Sequence, residues 1–280
     1  MDKAPTGIEG LDDITGGGLP RGCTTLVMGG PGCGKTVLAL QSLVNGARLY
    51  NEPGIFVAFE ENSRSIIANA ENFGWDLPDL EARQLVYFVD AQPMVEHIQA
   101  GSFDLQGMLA GLQVMVERMG ARRIVFDSLD MLLGLLGDVV AERREVHRLQ
   151  EWLSGRNLNT ILTAKVHDAA GMDLGSFGFL QFMVDCALTL TQQVSGAARL
   201  RRLRVVKYRG SSFVESDCPL AIGSNGIEIA SVSTPSLGCC SQERVSSGVE
   251  ALDQMLNGGY FRCASVLISG TPGTAKTTLA

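Results

Sequence analysis

Short apolar runs alternate along the chain with longer stretches in which apolar residues recur every three or four positions. The runs lack the alternation of a half-exposed strand and predict buried strands at residues 24–28, 55–59, 85–89, 122–127, 160–163 and 187–190. Helical spacing covers residues 35–50, 63–73, 105–119 and 141–153, and Ser63 is the expected cap of the second helix. This order predicts an α/β fold with helices on both faces of a mostly parallel sheet.

The pattern changes after residue 190. Residues 199–209 alternate charged and apolar positions, and short β-like pieces follow up to residue 229. We expect these segments to add antiparallel strands at one edge of the sheet. The most apolar stretch, residues 131–140, has about half the length of a membrane-spanning helix and contains Asp138, so no membrane contact is expected.

A long internal repeat defines the domain organisation. Residues 7–39 recur at 248–280 without a gap, so that Gly7, Asp12 and Lys35 correspond to Gly248, Asp253 and Lys276. This repeat predicts tandem domains: a full domain at residues 1–230, a Ser-, Pro- and Gly-rich linker at 231–244, and the truncated start of a second domain at 245–280. We expect this second segment to bind no nucleotide, because it lacks the neighbouring strands and metal-binding carboxylate of the first.

Residues 29–36 match G-x-x-x-x-G-K-[ST] between a predicted strand and a predicted helix. The glycines allow backbone N–H groups to surround phosphate oxygens at the positive end of the helix. Lys35 would neutralise the β- and γ-phosphates of ATP, and Thr36 would offer its hydroxyl to Mg²⁺. The predicted nucleotide contacts in this segment are Gly29, Gly32, Cys33, Gly34, Lys35, Thr36 and Val37.

Carboxylates follow two of the predicted strands. Asp127 ends one strand, where open α/β sheets place their ligands, and is a candidate second Mg²⁺ ligand; the alternative is that it caps the next helix together with Ser128. Glu60 and Glu61 end another strand and would point to opposite faces, so only one can orient or deprotonate water. Glu60 is favoured as the base, and the alternative is a solvated acidic strand end.

A cationic cluster at Lys207, Tyr208, Arg209 and Gly210 lies far from the phosphate loop in sequence. Two interpretations remain open for it. The cluster is either an edge strand that is protected by charge, or a set of cations delivered to the nucleotide of a neighbouring subunit.

Composition narrows the function classes. The net charge of −7 argues against the broad basic surface of a duplex-binding protein. The N-terminus is polar and the seven cysteines include no C-x-x-C pair, so we expect no leader peptide, reduced thiols and a cytoplasmic location. Three histidines that lie far apart in sequence argue against a zinc site.

In combination, the motifs carry a resemblance to a known family. In order they are Thr6-Gly7-Ile8, Gly16-Gly17-Gly18, the phosphate loop, Phe59-Glu60-Glu61, Phe73-Gly74-Trp75-Asp76, Asp127-Ser128 and Lys207-x-Arg209-Gly210. The chain resembles KaiC, the clock-type ATPases of the RecA superfamily. The resemblance implies a RecA-like P-loop NTPase core and homohexameric rings with ATP at subunit interfaces. It also implies an unidentified regulatory protein partner.

The resemblance implies roles for individual residues. Glu60 and Glu61 would be the catalytic carboxylates, Asp127 the Walker B residue, and Asn72 a nucleotide contact. The residues that would reach the neighbour's nucleotide are Lys207, Tyr208, Arg209, Ser211 and Phe213.

Departures from the family pattern limit what the resemblance implies. Phe213 replaces a histidine, Gly223-Ser224 a Thr-Asp pair, and Ala275 the glycine before the second lysine. Autokinase activity belongs to the second domain of the family, so only a longer parent protein would have it, and a clock role is not implied.

Three functional hypotheses follow. The first is a slow oligomeric ATPase that changes the shape of its ring and its binding of partners. The second is a RecA- or RadA-type recombinase on single-stranded DNA; however, its DNA-gripping loop would be residues 167–181, which carry Phe177 and Phe179 but no Lys or Arg. Nucleic acid is therefore not favoured as a partner. The third, a nucleotide sensor with negligible turnover, differs from the first only in rate.

Overall fold

The computed structural model describes residues 2–92, 105–134, 136, 138–165, 179–195, 198–230 and 243–279. It divides into two units, Met1–Val232 and Ser233–Ala280. The first unit contains the phosphate loop predicted from the sequence, and the second contains the repeated copy.

The described part of the first unit is built on a nine-stranded sheet. Two short strands, β1 (Lys3–Ala4) and β2 (Leu19–Pro20), form a separate antiparallel pair. The sheet strands are β3 (Thr24–Gly29), β4 (Gly54–Ala58), β5 (Val86–Asp90), β6 (Arg123–Asp127), β7 (Asn159–Lys165), β8 (Cys186–Ser195), β9 (Ala198–Tyr208), β10 (Cys218–Gly223) and β11 (Gly226–Ile229).

The strand order is β11-β10-β9-β8-β3-β7-β6-β4-β5. Strands β8, β3, β7, β6, β4 and β5 are parallel, and β9, β10 and β11 continue the sheet antiparallel beyond β8. The predicted fold class is confirmed, including the antiparallel strands at one edge.

Helices cover both faces of the sheet. They are α1 (Leu11–Ile14), α2 (Lys35–Tyr50), α3 (Ser63–Glu71), α4 (Leu77–Ala82), α5 (Leu105–Met119), α6 (Leu129–Gly134), α7 (Val139–Leu153) and α8 (Leu180–Met183). Successive strand residues point to opposite faces, so Val27 packs in the core under α2, α3 and α4, and Leu26 in the core under α5, α6 and α7. No helix among the described residues is long and apolar enough to cross a membrane.

Two local predictions are corrected by the structure. Helix α3 is capped by Asn62, not by Ser63, because the Asn62 side chain accepts a hydrogen bond from the Ser65 N–H at 2.9 Å. Strand β4 ends at Ala58, so Glu60 and Glu61 follow the strand in a bend and do not end it. The opposite-face argument for these two glutamates therefore does not apply.

The second unit repeats the local structure of the first. Its elements are β12 (Arg244–Val245), α9 (Glu250–Met255), β13 (Tyr260–Phe261) and α10 (Lys276–Leu279). Strands β12 and β13 form an antiparallel pair, as β1 and β2 do. The carboxylate of Asp253 accepts the Ser247 N–H at 2.8 Å, just as that of Asp12 accepts the Thr6 N–H at 2.9 Å.

Candidate functional site

The phosphate loop joins β3 to the sixteen-residue helix α2 and lies at the carboxyl edge of the parallel strands. Gly34 has φ +104° in the left-handed region, and a Cβ there would lie 2.8 Å from Ile222 Cδ1. Glycine is therefore required both for the backbone turn and for the close approach of the β10–β11 pair. Cys33 is buried and Val37 packs against the core, so both side chains anchor the loop and the start of α2 to the domain.

Lys35 is a buried cation at the start of α2. Its Nζ donates to Gly30 O at 3.0 Å, within the loop itself. Burial lowers the pKa of Lys35, and the charges of Cys33, Asp127 and Asp130 act in the opposite direction. A partly desolvated ammonium at the amino end of a helix is suited to a polyanion such as a triphosphate.

Asp127 lies between two threonines. Its Oδ2 accepts the Thr36 hydroxyl at 2.9 Å, and its Oδ1 accepts the Thr163 hydroxyl. Burial raises the pKa of Asp127. The hydrogen bonds from Thr163 and Thr36 and the charge of Lys35 lower it, but burial has the larger effect. The hydroxyl of the next residue, Ser128, donates to Asp130.

The pair Thr36 and Asp127 fits Mg²⁺. Hydroxyl and carboxylate oxygens are its preferred protein ligands, and it usually takes one or two carboxylates together with substrate phosphates and water. Among the described residues, no group of three or more His, Cys, Asp or Glu side chains is arranged to hold a metal ion. A cation here would therefore depend on the phosphates for the rest of its ligands.

Glu60 is held by a lysine that the sequence analysis did not single out. Lys165 ends β7, directly in register with Gly29 of β3, and its Nζ forms an ion pair with Glu60 Oε1. Only the strand order reveals this pairing, because Lys165 is 105 residues from Glu60 in sequence. Glu61 is exposed next to Glu60, on the rim of an open depression that Ser65, Asn69 and Gln92 also line.

Asn72 lies at the far end of α3, where its Nδ2 donates to Asn69 O at 3.3 Å. Helix α3 begins next to Glu61 and is nine residues long. Asn72 thus lies roughly 13 Å along the helix axis from the start of α3. Its predicted contact with the nucleotide stays a prediction.

The cationic cluster lies at the amino ends of the parallel strands, whereas the phosphate loop lies at their carboxyl ends. Tyr208 of β9 pairs with Cys186 at the start of β8, whereas Gly29 pairs with Leu190 further along β8. Because β9 runs antiparallel, its end lies where the parallel strands begin. Within one chain, these residues and the loop are therefore not brought together.

Contacts within the same domain restrict what the cluster can do. Tyr208 is buried, and its hydroxyl donates to Gly18 O at 2.9 Å; burial raises its pKa to about 12. This side chain fills its own domain, and the predicted contact of Tyr208 with a neighbour's nucleotide stays a prediction. Lys207 Nζ donates to Gln181 O at 2.8 Å and to Val184 O at 2.6 Å.

The other members of the cluster differ in exposure. Arg209 is exposed, with Nη2 3.1 Å from Phe182 O and Nη1 3.6 Å from Asp185 Oδ1. Ser211 Oγ donates to Ser212 O at 3.0 Å, and Phe213 packs against the core of its own domain. Arg209 is the member of the cluster best placed to contact another molecule.

A second cation missed by the sequence analysis contacts the loop directly. Arg201 Nε donates to Gly32 O at 3.1 Å from the amino half of β9, where it pairs in register with Gln192. The antiparallel register places Arg201 at the carboxyl edge, and the sequence alone carries no signal for that register. The DNA-gripping loop considered above, residues 167–181, lies mostly outside the described residues.

Comparisons with known proteins agree with this geometry. The family model for the KaiC ATPase matches residues 4–233 and 245–280. The chain is 38% identical to the circadian clock protein KaiC2 of Synechocystis sp., over 99% of this chain and 49% of that protein. It is 39% identical to the circadian clock oscillator protein KaiC of Parathermosynechococcus lividus, over 100% of this chain and 52% of that protein. The chain spans about half the length of the curated relatives it matches.

Proposed function

Because the chain belongs to the KaiC family of ATPases, we propose that it binds ATP with Mg²⁺ at the phosphate loop and hydrolyses it to ADP and phosphate. The observation that carries the proposal is the contact between the Thr36 hydroxyl and the Asp127 carboxylate, 2.9 Å apart next to the buried Lys35. These groups supply an anion-binding cation and two oxygens for a metal ion in one place.

Different residues would bind the phosphates, hold the metal ion and activate water. Backbone N–H groups of the loop and Lys35 bind the phosphates, and Thr36 and Asp127 hold Mg²⁺, which neutralises charge on the phosphate oxygens when bound. Glu60 orients a water molecule and takes its proton as the water oxygen bonds to the γ-phosphorus and the bond to the ADP oxygen breaks. Glu61 lies next to this base.

A neighbouring subunit completes the site in this proposal. The exposed Arg209 lies at the amino ends of the parallel strands, away from the loop at their carboxyl ends. It can therefore contact only the nucleotide of another copy. We infer a homohexameric ring that forms with ATP, in which hydrolysis at the interfaces changes the ring and its binding of a regulatory protein. No observation favours the recombinase alternative.

Nucleotide titration and ATPase assays of matched variants test the proposal. We expect one nucleotide site per chain, loss of binding in Lys35→Ala and loss of turnover with binding retained in Glu60→Gln. Lys276→Ala, the same change in the repeated loop, is the control and should alter neither property. The mass of the particle with and without ATP tests the ring. Turnover stimulated by single-stranded DNA would support the recombinase instead, and binding without turnover would support a nucleotide sensor.

A further inference from the structure

The ion pair between Lys165 and Glu60 joins the candidate base to the strand next to the phosphate loop. Strand β7 lies between β3, which leads into the loop, and β6, which ends in Asp127. Lys165 is paired with Gly29, the first loop residue, so its backbone lies about 4.8 Å from that of the loop. Its side chain is 24% exposed and that of Glu60 40% exposed, so both remain accessible to a ligand.

Lys165 is also close enough to Lys35 for the two charges to interact. The charge of Lys165 is one of the causes that lower the pKa of Lys35, after burial. Lys35 is bonded within the loop at Gly30 O, whereas Lys165 is bonded to the carboxylate proposed as the base. Two ammonium groups thus lie at the same end of the site, and only one of them restrains Glu60.

A role in stability alone does not account for this arrangement. Ion pairs with this degree of exposure contribute little to the free energy of folding. The Lys165 backbone N–H is separately anchored, since it donates to Asp130 Oδ1 at 2.8 Å. The backbone of Lys165 is therefore fixed without the ion pair, and its ammonium group is free to exchange one anionic partner for another.

We propose that Lys165 is a positioning residue that senses the terminal phosphate: it holds Glu60 when no triphosphate is bound, and it releases Glu60 when a γ-phosphate competes for the same ammonium group. A terminal phosphate carries more charge and more acceptor oxygens than a carboxylate, so it is the stronger competitor. ADP lacks this group and leaves the ion pair intact. The base becomes available to water only with the nucleotide that can be hydrolysed. This inference rests on the proposed function.

The competition between Glu60 and the γ-phosphate for Lys165 predicts changes in nucleotide affinity that can be measured without turnover. A β,γ-imido analogue of ATP and ADP are titrated separately, with Mg²⁺, into the full chain. Lys165→Met should weaken analogue binding roughly tenfold and change ADP binding less than about twofold, as expected for loss of one charge-assisted contact. Glu60→Gln should tighten analogue binding a few-fold, because it removes the competing carboxylate, and the double variant should resemble Lys165→Met.

Two further variants complete the design. Lys165→Arg keeps the charge and should preserve the preference for the triphosphate. Arg83→Met removes a cation from the exposed pair with Asp79 on α4 and should change no affinity. Thermal unfolding of each nucleotide-free variant shows that it is folded, and Lys165→Gln replaces Lys165→Met should the latter fail to fold.

Different outcomes separate the two proposals. Equal weakening of the analogue and ADP in Lys165→Met, or no tightening in Glu60→Gln, would overturn the sensor and leave the proposed function in place. Absence of nucleotide binding in the unmodified chain would overturn both.

Discussion

Gly34 is a position in the phosphate loop at which a single added methyl group should damage the site directly. Its φ of +104° lies in the left-handed region, and the added Cβ would lie 2.8 Å from Ile222 Cδ1 and 3.5 Å from Ile227 Cδ1. Gly34→Ala therefore combines backbone strain with a steric overlap. The chain contains the strained counterpart already, because Ala275 occupies the equivalent place in the repeated loop with φ +55°.

The two contributions can be estimated separately. A left-handed conformation costs an L-residue about 1–2 kcal/mol relative to glycine. For a domain of this size, each kcal/mol lowers Tm by roughly 2–4 °C, so strain alone predicts a loss of roughly 2–8 °C. The overlap adds to this loss, but it involves the end of a flexible side chain, which can move. Binding of MgATP should weaken as well, since the strained residue precedes Lys35.

Thermal unfolding with and without MgATP checks this estimate. Gly155→Ala is the matched control, because Gly155 has φ +77° and an added Cβ there would have no neighbour within 4 Å. Gly34→Ala should lose more stability than the control, and Ile222→Val in the same chain should recover the excess but not the strain. If Gly34→Ala were no less stable than Gly155→Ala and bound MgATP normally, the geometric argument would be refuted.

Three further predictions concern buried polar groups. Burial raises the pKa of Asp127, so the nucleotide-free protein should lose stability as the pH rises from about 3.9 through the folded-state pKa. Asp127→Asn should abolish this part of the pH dependence of the unfolding free energy, measured by denaturant titration. It should also abolish Mg²⁺-dependent binding of the nucleotide. The pKa of Tyr208 is raised to about 12, so stability should fall as the pH rises from about 10 towards that value, and the fall should be smaller in Tyr208→Phe. Lys207→Met should destabilise the nucleotide-free chain by about 1–3 kcal/mol, because two carbonyl groups lose their donor; an unchanged Tm would contradict this estimate.

The fold was predictable because burial on both faces leaves a simple pattern. The helix predicted at residues 35–50 is α2, Lys35–Tyr50, and the predicted strands lie within one to five residues of the observed ends. The contact of Thr36 with Asp127 also follows from sequence, since a loop after one strand and a carboxylate after another meet at the same edge of a parallel sheet. Local chemistry and one topological rule were sufficient here.

The missed residues depend on which strands are neighbours. Lys165 reaches Glu60 because only β6 separates β7 from β4, the strand that Glu60 follows, and Arg201 reaches Gly32 because β9 returns antiparallel from β8. Neither arrangement has a local sequence signal. The burial of Tyr208 was predictable, because successive residues of a strand point to opposite faces and Lys207, its neighbour in β9, is charged.

The internal repeat shows which features of a phosphate-loop site form from the local sequence alone. In both units the short antiparallel pair and the aspartate that accepts the hydrogen bonds of the preceding turn are present, so these features need only local contacts. Residues 265–270, the counterpart of β3, form no strand, and Leu267 is 91% exposed. Strand β3 is hydrogen-bonded to β7 on one side and β8 on the other, and the described part of the second unit contains no counterpart of either. A lysine after a glycine-rich turn therefore becomes a candidate phosphate site only where distant strands hold the turn, and in this chain those strands surround Lys35.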